Sequence, residues 1–211
     1  TGFTGEKGYE IYVRDTHENA EKVWNKVLED GEEFGLMVIA PAHHRRIAAG
    51  ILSWGQDLDH ETSPFQVNLA YQVPRNKKSD YIGKAELERQ RDIIDSGDAP
   101  FKMKMVGITL GGKEITDYAP DFWLVADTDG NDMGYVTSPW WSPELETNIA
   151  LAWVPWSSSE VGTKLLVKLP DEYSVTPGEP VEGEVVDVPF RESVNPNKRE
   201  VEAAKGKDFA E

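Results

Sequence analysis

Hydrophobic and polar residues follow two different patterns in the two parts of this chain. In the first part, apolar residues recur with helical spacing after Asp15 and Thr16, either of which can cap a helix. The residues on this face are Ala20, Val23, Trp24, Val27 and Leu28. The spacing predicts an amphipathic helix that ends at Gly31 or Gly35, with Trp24 in the protein core.

Shorter apolar runs predict the remaining elements of the first part. Segments 9–13, 36–40 and 67–73 are rich in β-branched, aromatic and other apolar residues, which favours short strands. Residues 42–52 predict a second helix, and residues 81–90 predict a turn followed by a short, solvent-facing helix.

From residue 101 onward the pattern becomes one of short strands separated by glycine and proline turns. Six segments are expected to be strands: 102–110, 122–126, 133–138, 148–154, 163–169 and 183–188. In the first of them, Met103, Met105 and Ile108 are candidates to face inward. Many short strands with such turns predict a small barrel or jelly roll, and therefore an α+β chain.

Residues 92–100 contain Ser, Gly and Pro and mark the best domain boundary. We therefore expect one domain over residues 1–96, an all-β domain over 97–190 and a charged tail over 191–211.

Composition narrows the possible functions. The net charge of −16 disfavours binding to a nucleic-acid backbone or to an anionic membrane. The absence of cysteine excludes disulfides and thiolate chemistry and fits a cytoplasmic protein. No apolar run approaches the roughly 20 residues of a membrane span. Adjacent His43 and His44 would lie about 100° apart on a helix, so no metal site is expected there.

Glu10 is the first candidate binding residue. It follows a lead-in with glycines at positions 2, 5 and 8, where the backbone can approach a ligand closely. Its carboxylate could accept two N–H bonds from a flat edge such as that of guanine, a pterin or a guanidinium group. The alternative is a solvent-facing glutamate on an edge strand.

Other candidates lie further along the chain. Arg46 is expected either to pair with a ligand carboxylate or to form a solvated pair with Arg45. Trp54, which precedes a glycine turn, could line a pocket or cover the end of the second helix.

Trp140 and Trp141 lie between two prolines, and we expect them on a loop that contacts a ligand or a neighbouring domain. Aromatic rings could also hold a sulfonium or ammonium methyl donor by cation–π attraction.

Several motifs together resemble one family. Residues 1–11, Thr-Gly-Phe-Thr-Gly-Glu-Lys-Gly-Tyr-Glu-Ile, resemble the signature of the folate-binding aminomethyltransferases, the glycine cleavage T-protein family. Segments 46–64 and 81–90 follow in the family's order, as do 134–143, Gly-Tyr-Val-Thr-Ser-Pro-Trp-Trp-Ser-Pro, and 148–154, Asn-Ile-Ala-Leu-Ala-Trp-Val. The resemblance extends to about residue 190.

This resemblance implies the C-terminal half of an enzyme that transfers a methyl or aminomethyl group from a small-molecule donor to tetrahydrofolate. The fold implied is the end of the folate-binding α/β domain followed by the small barrel. The implied cofactor-binding residues are Glu10, which would read the pterin ring, Tyr9, Arg46 and Trp54. The implied substrate-binding residues are Trp140, Trp141 and Tyr118. The catalytic acid would lie in a missing N-terminal half, so the chain alone is expected to show little turnover.

Two departures from the family pattern bear on the donor. Ala48 stands where the family usually has glutamate, and Asp117 stands where a cation is expected near the entry of the aminomethyl-lipoyl group. The segment Ala-Pro-Ala-x-x-Arg-Arg-Ile is more similar to the dimethylsulfoniopropionate demethylase branch. The alternatives are a glycine cleavage T-protein proper and a non-catalytic, folate-binding regulatory or scaffold module.

Overall fold

The computed structural model describes residues 2–40, 42–75 and 77–191. Its elements are the helices α1 (Thr16–Gly31), α2 (His43–Ala48) and α3 (Lys84–Asp95) and the strands β1 (Met103–Leu110), β2 (Trp123–Ala126), β3 (Asp132–Ser142), β4 (Thr147–Pro155), β5 (Lys164–Val167) and β6 (Val181–Val186). Short 3₁₀ helices span Glu32–Phe34, Ala70–Gln72 and Trp156–Ser158. Apart from Arg191, the predicted charged tail lies outside the described residues.

The six strands form a closed antiparallel barrel in the order β1-β4-β3-β2-β5-β6. This confirms the predicted small barrel. Inward-facing side chains form its core, because alternate residues of every strand point to one side. They include Val106, Ile108, Val125, Ala150, Ala152 and Val167, all of which are buried.

A second apolar core joins the outside of the barrel to the first part of the chain. Ile47 and Ala48 of α2 pack there with Met105, Leu151 and Trp153. Met105 and Ile108 are separated by an odd number of positions on β1, so they point to opposite faces of the strand. The expectation that both methionines and Ile108 face the same interior is therefore wrong: the methionines belong to the outer core.

The first part contains fewer regular elements than its apolar runs suggest. Segments 9–13 and 36–40 contain no strand, and 67–73 contains only the 3₁₀ turn at Ala70–Gln72. A strand requires a paired neighbour, and none of these segments finds one among the described residues. These three strand predictions are wrong.

The first helix has the expected bounds, but α1 buries no residue. Trp24 is 53% exposed, so the placement of this side chain in the core is wrong for the chain as it stands. The second helix, α2, is shorter than predicted because the backbone turns at Ala49 and at Gly50, whose φ is +69°.

Both ends of the described chain meet near the C-terminal end of α2. Gly5 has a φ of +72°, and a Cβ at this position would lie 2.5 Å from the Cβ of Ala49. The backbone N–H of Arg191 donates to the carbonyl of Ala48 at 3.2 Å. The guanidinium of Arg191 pairs with Glu6 at 2.9 Å and with Glu144 at 3.0 Å. The glycine-rich lead-in is thus held against α2 and the barrel.

Candidate functional site

A buried ion pair lies where α2 meets the barrel. Arg46 Nη1 donates to Asp57 Oδ2 at 2.9 Å, and both side chains are 0% exposed. The same nitrogen also donates to the carbonyl of Ile51 at 3.1 Å. Arg46 Nη2 donates to Ser138 Oγ at 2.8 Å. Each guanidinium nitrogen of Arg46 therefore has a hydrogen-bond partner within the protein itself.

Asp57 receives three further hydrogen bonds. Its Oδ2 accepts the backbone N–H of Ser53 at 2.7 Å. Its Oδ1 accepts the hydroxyls of Thr137 and Ser138, each at 2.6 Å. A buried charge is tolerated only when it is paired and hydrogen-bonded, and both charges here meet this condition. The network fastens α2, the turn at 53–58 and strand β3 together.

Three aromatic rings, which we call the aromatic cluster, lie next to this network: His43, Tyr118 and Trp140. The His43 and Trp140 rings are stacked, with centroids 5.3 Å apart and an interplanar angle of 19°. Tyr118 packs on His43 at 5.5 Å with a 56° tilt. Tyr118 is 55% exposed, so the aromatic cluster presents ring surface to solvent.

Gln56 fixes the position of Tyr118 relative to the barrel. The Tyr118 hydroxyl donates to Gln56 Oε1 at 3.2 Å. Gln56 Nε2 in turn donates to the carbonyl of Thr137 at 2.7 Å. Because the neighbouring Asp57 anchors the same turn, the ion-pair network and the aromatic cluster share one support.

The electrostatic environment keeps His43 neutral near pH 7. Burial lowers the pKa of His43, and the positive charge of Arg46 lowers the same pKa further; Asp57 opposes these effects more weakly. Arg46 Nε faces His43 Nδ1 at 3.4 Å, which favours the tautomer with its proton on Nε2. The aromatic cluster can therefore approach a cationic ligand without an imidazolium charge to repel it.

The structure brings three of the sequence-predicted site residues together: Arg46, Tyr118 and Trp140. The carboxylate that Arg46 contacts belongs to Asp57, instead of to a ligand. Trp54 lies on the turn before Asp57 and is 67% exposed.

The prediction that Trp140 and Trp141 lie on a loop is wrong. Trp140 and Trp141 belong to strand β3, where they pair with Ile149 and Asn148 of β4. The backbone N–H of Trp141 also donates to the carbonyl of Ile115 at 2.7 Å. A register shift between Val136 and Ser138 interrupts the ladder just before the first proline, which is where a strand tolerates proline.

Tyr9 and Glu10 lie on the exposed, irregular lead-in. Tyr9 is 85% exposed, and the carboxylate of Glu10 accepts a hydrogen bond from the hydroxyl of Tyr12. No hydrogen bond or ring contact joins either residue to the aromatic cluster within the described part of the chain. Their ligand-binding roles stay predictions.

His43, Gln56 and Asp57 contribute to this site without having been predicted from the sequence. The turn Trp54-Gly-Gln-Asp57 carried a usable signal, since an arginine on an apolar helix requires a nearby carboxylate. His43 and Gln56 act through contacts with Trp140 and Tyr118, which are distant in sequence, so no local pattern marks them.

Two features are absent from the described segments, 2–40, 42–75 and 77–191. No group of three or more histidine, aspartate or glutamate side chains there is arranged to hold a metal ion. No helix in those segments has both the length and the apolar character needed to cross a membrane.

A few helices followed by a closed six-stranded barrel match the two-part organisation of one protein family. Residues 1–77 match the model of the GCVT N-terminal domain. Residues 104–191 match the model of the glycine cleavage T-protein C-terminal barrel domain. The two matches together span most of the chain, which belongs to the glycine cleavage T-protein family.

Curated relatives and a solved structure agree with this assignment. The aminomethyltransferase of a Geobacillus species is 32% identical over 192 residues, which cover 90% of this chain and 48% of the relative. That of Symbiobacterium thermophilum is 32% identical over 201 residues, covering 94% and 48% respectively. The crystal structure of glycine cleavage system aminomethyltransferase T from Bartonella henselae matches with a TM-score of 0.69 and 25% identity, covering 90% of this chain and 48% of that one. The chain thus spans about half the length of these relatives.

Proposed function

We propose that this chain supplies the C-terminal half of a tetrahydrofolate-dependent one-carbon transferase. The observation that carries the proposal is the match, in one chain and in the family's order, to both the N-terminal-domain model and the barrel model. The curated relatives cited above are named aminomethyltransferases, which favours transfer of a one-carbon group as the activity.

The side chains available to a folate fit its chemistry in part. Glu10 has an exposed carboxylate whose hydrogen-bond partner among the described residues is the Tyr12 hydroxyl, so it can accept N–H groups from a pterin edge. Trp54 and Tyr9 offer exposed ring surface for stacking. Arg46 does not fit, because its guanidinium is fully buried and paired with Asp57. A bound tetrahydrofolate would supply the nucleophilic nitrogen that accepts the one-carbon group.

The donor would bind at the aromatic cluster. The exposed face of Tyr118 and the half-buried face of Trp140 can attract a sulfonium or ammonium group by cation–π interaction. Neutral His43 adds no repulsion, and Asp57 balances the charge of Arg46. Transfer would break the bond between the one-carbon unit and sulfur or nitrogen, leaving its electron pair on the departing atom. The chain would contribute mainly proximity and orientation.

Two residues, Asp117 and Ala48, favour a demethylase over a glycine cleavage T-protein proper. Asp117 directly precedes Tyr118 of the aromatic cluster in the sequence, so its negative charge lies one residue away along the chain; its carboxylate accepts a hydrogen bond from the Tyr173 hydroxyl at 3.5 Å. Such a charge attracts a cationic methyl donor and adds nothing for an anionic carrier segment. Ala48 is buried in the outer core, so this chain has no carboxylate where the family usually has one.

The part of the relatives that this chain does not match would complete the enzyme. The α1 face around Trp24 and Val27 is exposed, as are Tyr12 and the apolar segment 36–39. Exposed apolar surface commonly marks an interaction site when the side chains adjoin one another. The part of the relatives that this chain does not match is the natural occupant, since the chain covers 48% of the Geobacillus protein.

Calorimetric titration with tetrahydrofolate tests the proposal. We expect Glu10→Gln to weaken binding at least tenfold, while the matched variant Glu21→Gln, which neutralises an exposed glutamate of α1, leaves it unchanged. Absence of binding by the unaltered chain, or equal affinity in Glu10→Gln, would contradict the proposal.

Transfer assays distinguish the alternatives. In an assay that includes the part of the enzyme that this chain does not match, methyltetrahydrofolate formation from dimethylsulfoniopropionate would support the demethylase. Reaction with an aminomethyl-lipoyl carrier but not with dimethylsulfoniopropionate would identify a T-protein proper. Folate binding with neither transfer would identify a binding module and refute the enzyme. The chain alone should turn over little of either donor.

A further inference from the structure

A groove of about 640 Å³ lies between the first part of the chain and one end of the barrel strands β1 and β6. It is bounded by the segment 65–75, by α3, by the start of β1 and by the end of β6. None of the residues of the aromatic cluster lines it. The groove is therefore distinct from the donor site proposed above.

Lys104 is the central charged residue of this groove. It lies on β1 in the same alternation as Val106 and Ile108, which point into the barrel, so its side chain emerges at the barrel mouth. Its Nζ lies 5.1 Å from the centre of the Trp156 ring. No carboxylate forms an ion pair with Lys104 in segments 2–40, 42–75 and 77–191.

The surroundings of Lys104 disfavour its charged form through burial and supply no acidic group that would stabilise the charge. Burial lowers the pKa of Lys104, and no neighbouring acidic group acts to raise this pKa. Two other lysines of the barrel contrast with it: Lys164 pairs with Glu184 and Lys168 pairs with Asp132, each at 2.6 Å. A partly buried ammonium group without a carboxylate is a position that an anionic ligand would stabilise.

The other charges of the groove leave it positive. Arg75 is balanced by a bidentate pair with Asp95, at 2.6 and 2.9 Å. Arg91 donates to the carbonyl of Val73 and lies over the Phe65 ring at 5.3 Å, and no carboxylate pairs with it in the described part of the chain. The exposed Asp187 is the other acidic lining residue. The groove thus has three cations, Lys104, Arg75 and Arg91, against two carboxylates, Asp95 and Asp187, in a protein whose net charge is −16.

Apolar and aromatic surface accompanies these charges. Phe65, Tyr71 and Trp156 line the groove together with the valines at the end of β6. Small-molecule sites typically combine such apolar walls with a few convergent polar groups. We propose that the groove binds a small molecule that carries a carboxylate or phosphate group on a flat, apolar body. Lys104 and Arg91 hold the anionic group, and Trp156 contacts the ring.

Heteronuclear NMR of the ¹⁵N-labelled chain tests this assignment. The chain has seven tryptophans, and the indole N–H resonance lost in Trp156→Phe identifies the reporter. Phenyl phosphate and benzoate serve as anionic probes and neutral benzamide as their uncharged counterpart. We expect a saturable shift of the Trp156 indole resonance with at least one anionic probe and none with benzamide. The better anion distinguishes a phosphate from a carboxylate ligand.

Charge variants complete the test. Lys104→Gln should weaken binding of the better probe at least tenfold, and Lys104→Arg should retain most of it. Lys168→Gln removes only an exposed lysine from the same barrel and should leave binding unchanged. If Lys104→Gln loses its dispersed spectrum, Arg91→Gln replaces it, with the same expected weakening. No saturable shift with either anion, or equal affinity of the charge variant and Lys168→Gln, would overturn the proposal.

Discussion

Replacing Asp57 by alanine should destabilise the protein more than any change of an exposed charge. The substitution removes the acceptor of four hydrogen bonds, from Arg46 at 2.9 Å, Ser53 at 2.7 Å, and Thr137 and Ser138 at 2.6 Å each. The larger effect is that Arg46, which is 0% exposed, keeps a buried positive charge without its partner. Breaking a buried pair from one side costs roughly 3–5 kcal/mol. We therefore expect the free energy of unfolding to fall by about 4 kcal/mol.

The assay is equilibrium unfolding in urea, followed by tryptophan fluorescence and far-ultraviolet circular dichroism. An Arg46→Met variant and the double variant with Asp57→Ala complete a double-mutant cycle. The double variant removes both charges, so its cost should be smaller than the sum of the two single costs by about 2 kcal/mol. The exposed pair of Lys26 and Asp30 on α1 provides the control, and Asp30→Ala should cost less than about 0.5 kcal/mol.

Two results would refute this reasoning. One is a loss below about 1 kcal/mol for Asp57→Ala, which would mean that the Arg46 charge is solvated or balanced by another group. The other is additivity of the two single variants, since groups that share a buried network must couple. Either result would remove the proposed anchor between α2 and the barrel.

Three further predictions concern other parts of the molecule. Because the pKa of His43 is lowered in the folded protein, the unfolded chain takes up the proton first as pH falls, and stability should decrease from about pH 6.5 downward; urea unfolding at pH 7.5 and 5.5 should show a smaller difference in His43→Phe. Gly5→Ala should cost about 1–3 kcal/mol in urea unfolding, since it places a Cβ 2.5 Å from that of Ala49 at a φ of +72°; an unchanged midpoint would show that the lead-in is not held there. Trp24→Ser on exposed α1 should change stability by less than about 0.5 kcal/mol, whereas Ile149→Ala in the barrel wall should cost about 2–5 kcal/mol in the same assay.

The barrel could be predicted well because its signals are local. Strand β1 follows from alternation over 102–110, and β4 follows from the apolar run over 148–154. In a closed barrel every strand has two neighbours, so a segment with strand-forming side chains obtains the partners that its pattern requires. Alternation also decides which side chains face inward. Because Met105 and Ile108 are three positions apart on β1, it places them on opposite faces, Ile108 inside the barrel and Met105 in the outer core.

The first part was harder to predict because its strands and its helix need packing partners, and the residue pattern of a segment does not identify these partners. Segment 9–13 has the composition of a strand, and α1 has the spacing of a packed helix, yet a strand needs a hydrogen-bonded neighbour and an apolar face needs a cover. The described residues provide neither, and the side chain of Trp24 remains half exposed. The periodicity predicted the helix correctly, but the predicted burial of its apolar face is wrong, since α1 buries no residue.

The candidate site shows the same division between local and distant information. Arg46 could be identified as a residue that requires a carboxylate, but whether that carboxylate belongs to a ligand or to the protein depends on a turn eleven positions later and on hydroxyls at 137 and 138. Once Asp57 takes that role, the guanidinium fixes the position of α2 and no longer offers a fork to a ligand. The donor site that we propose at this junction then depends on the ring surfaces of Tyr118 and Trp140, which the same network holds in place through Gln56 and His43.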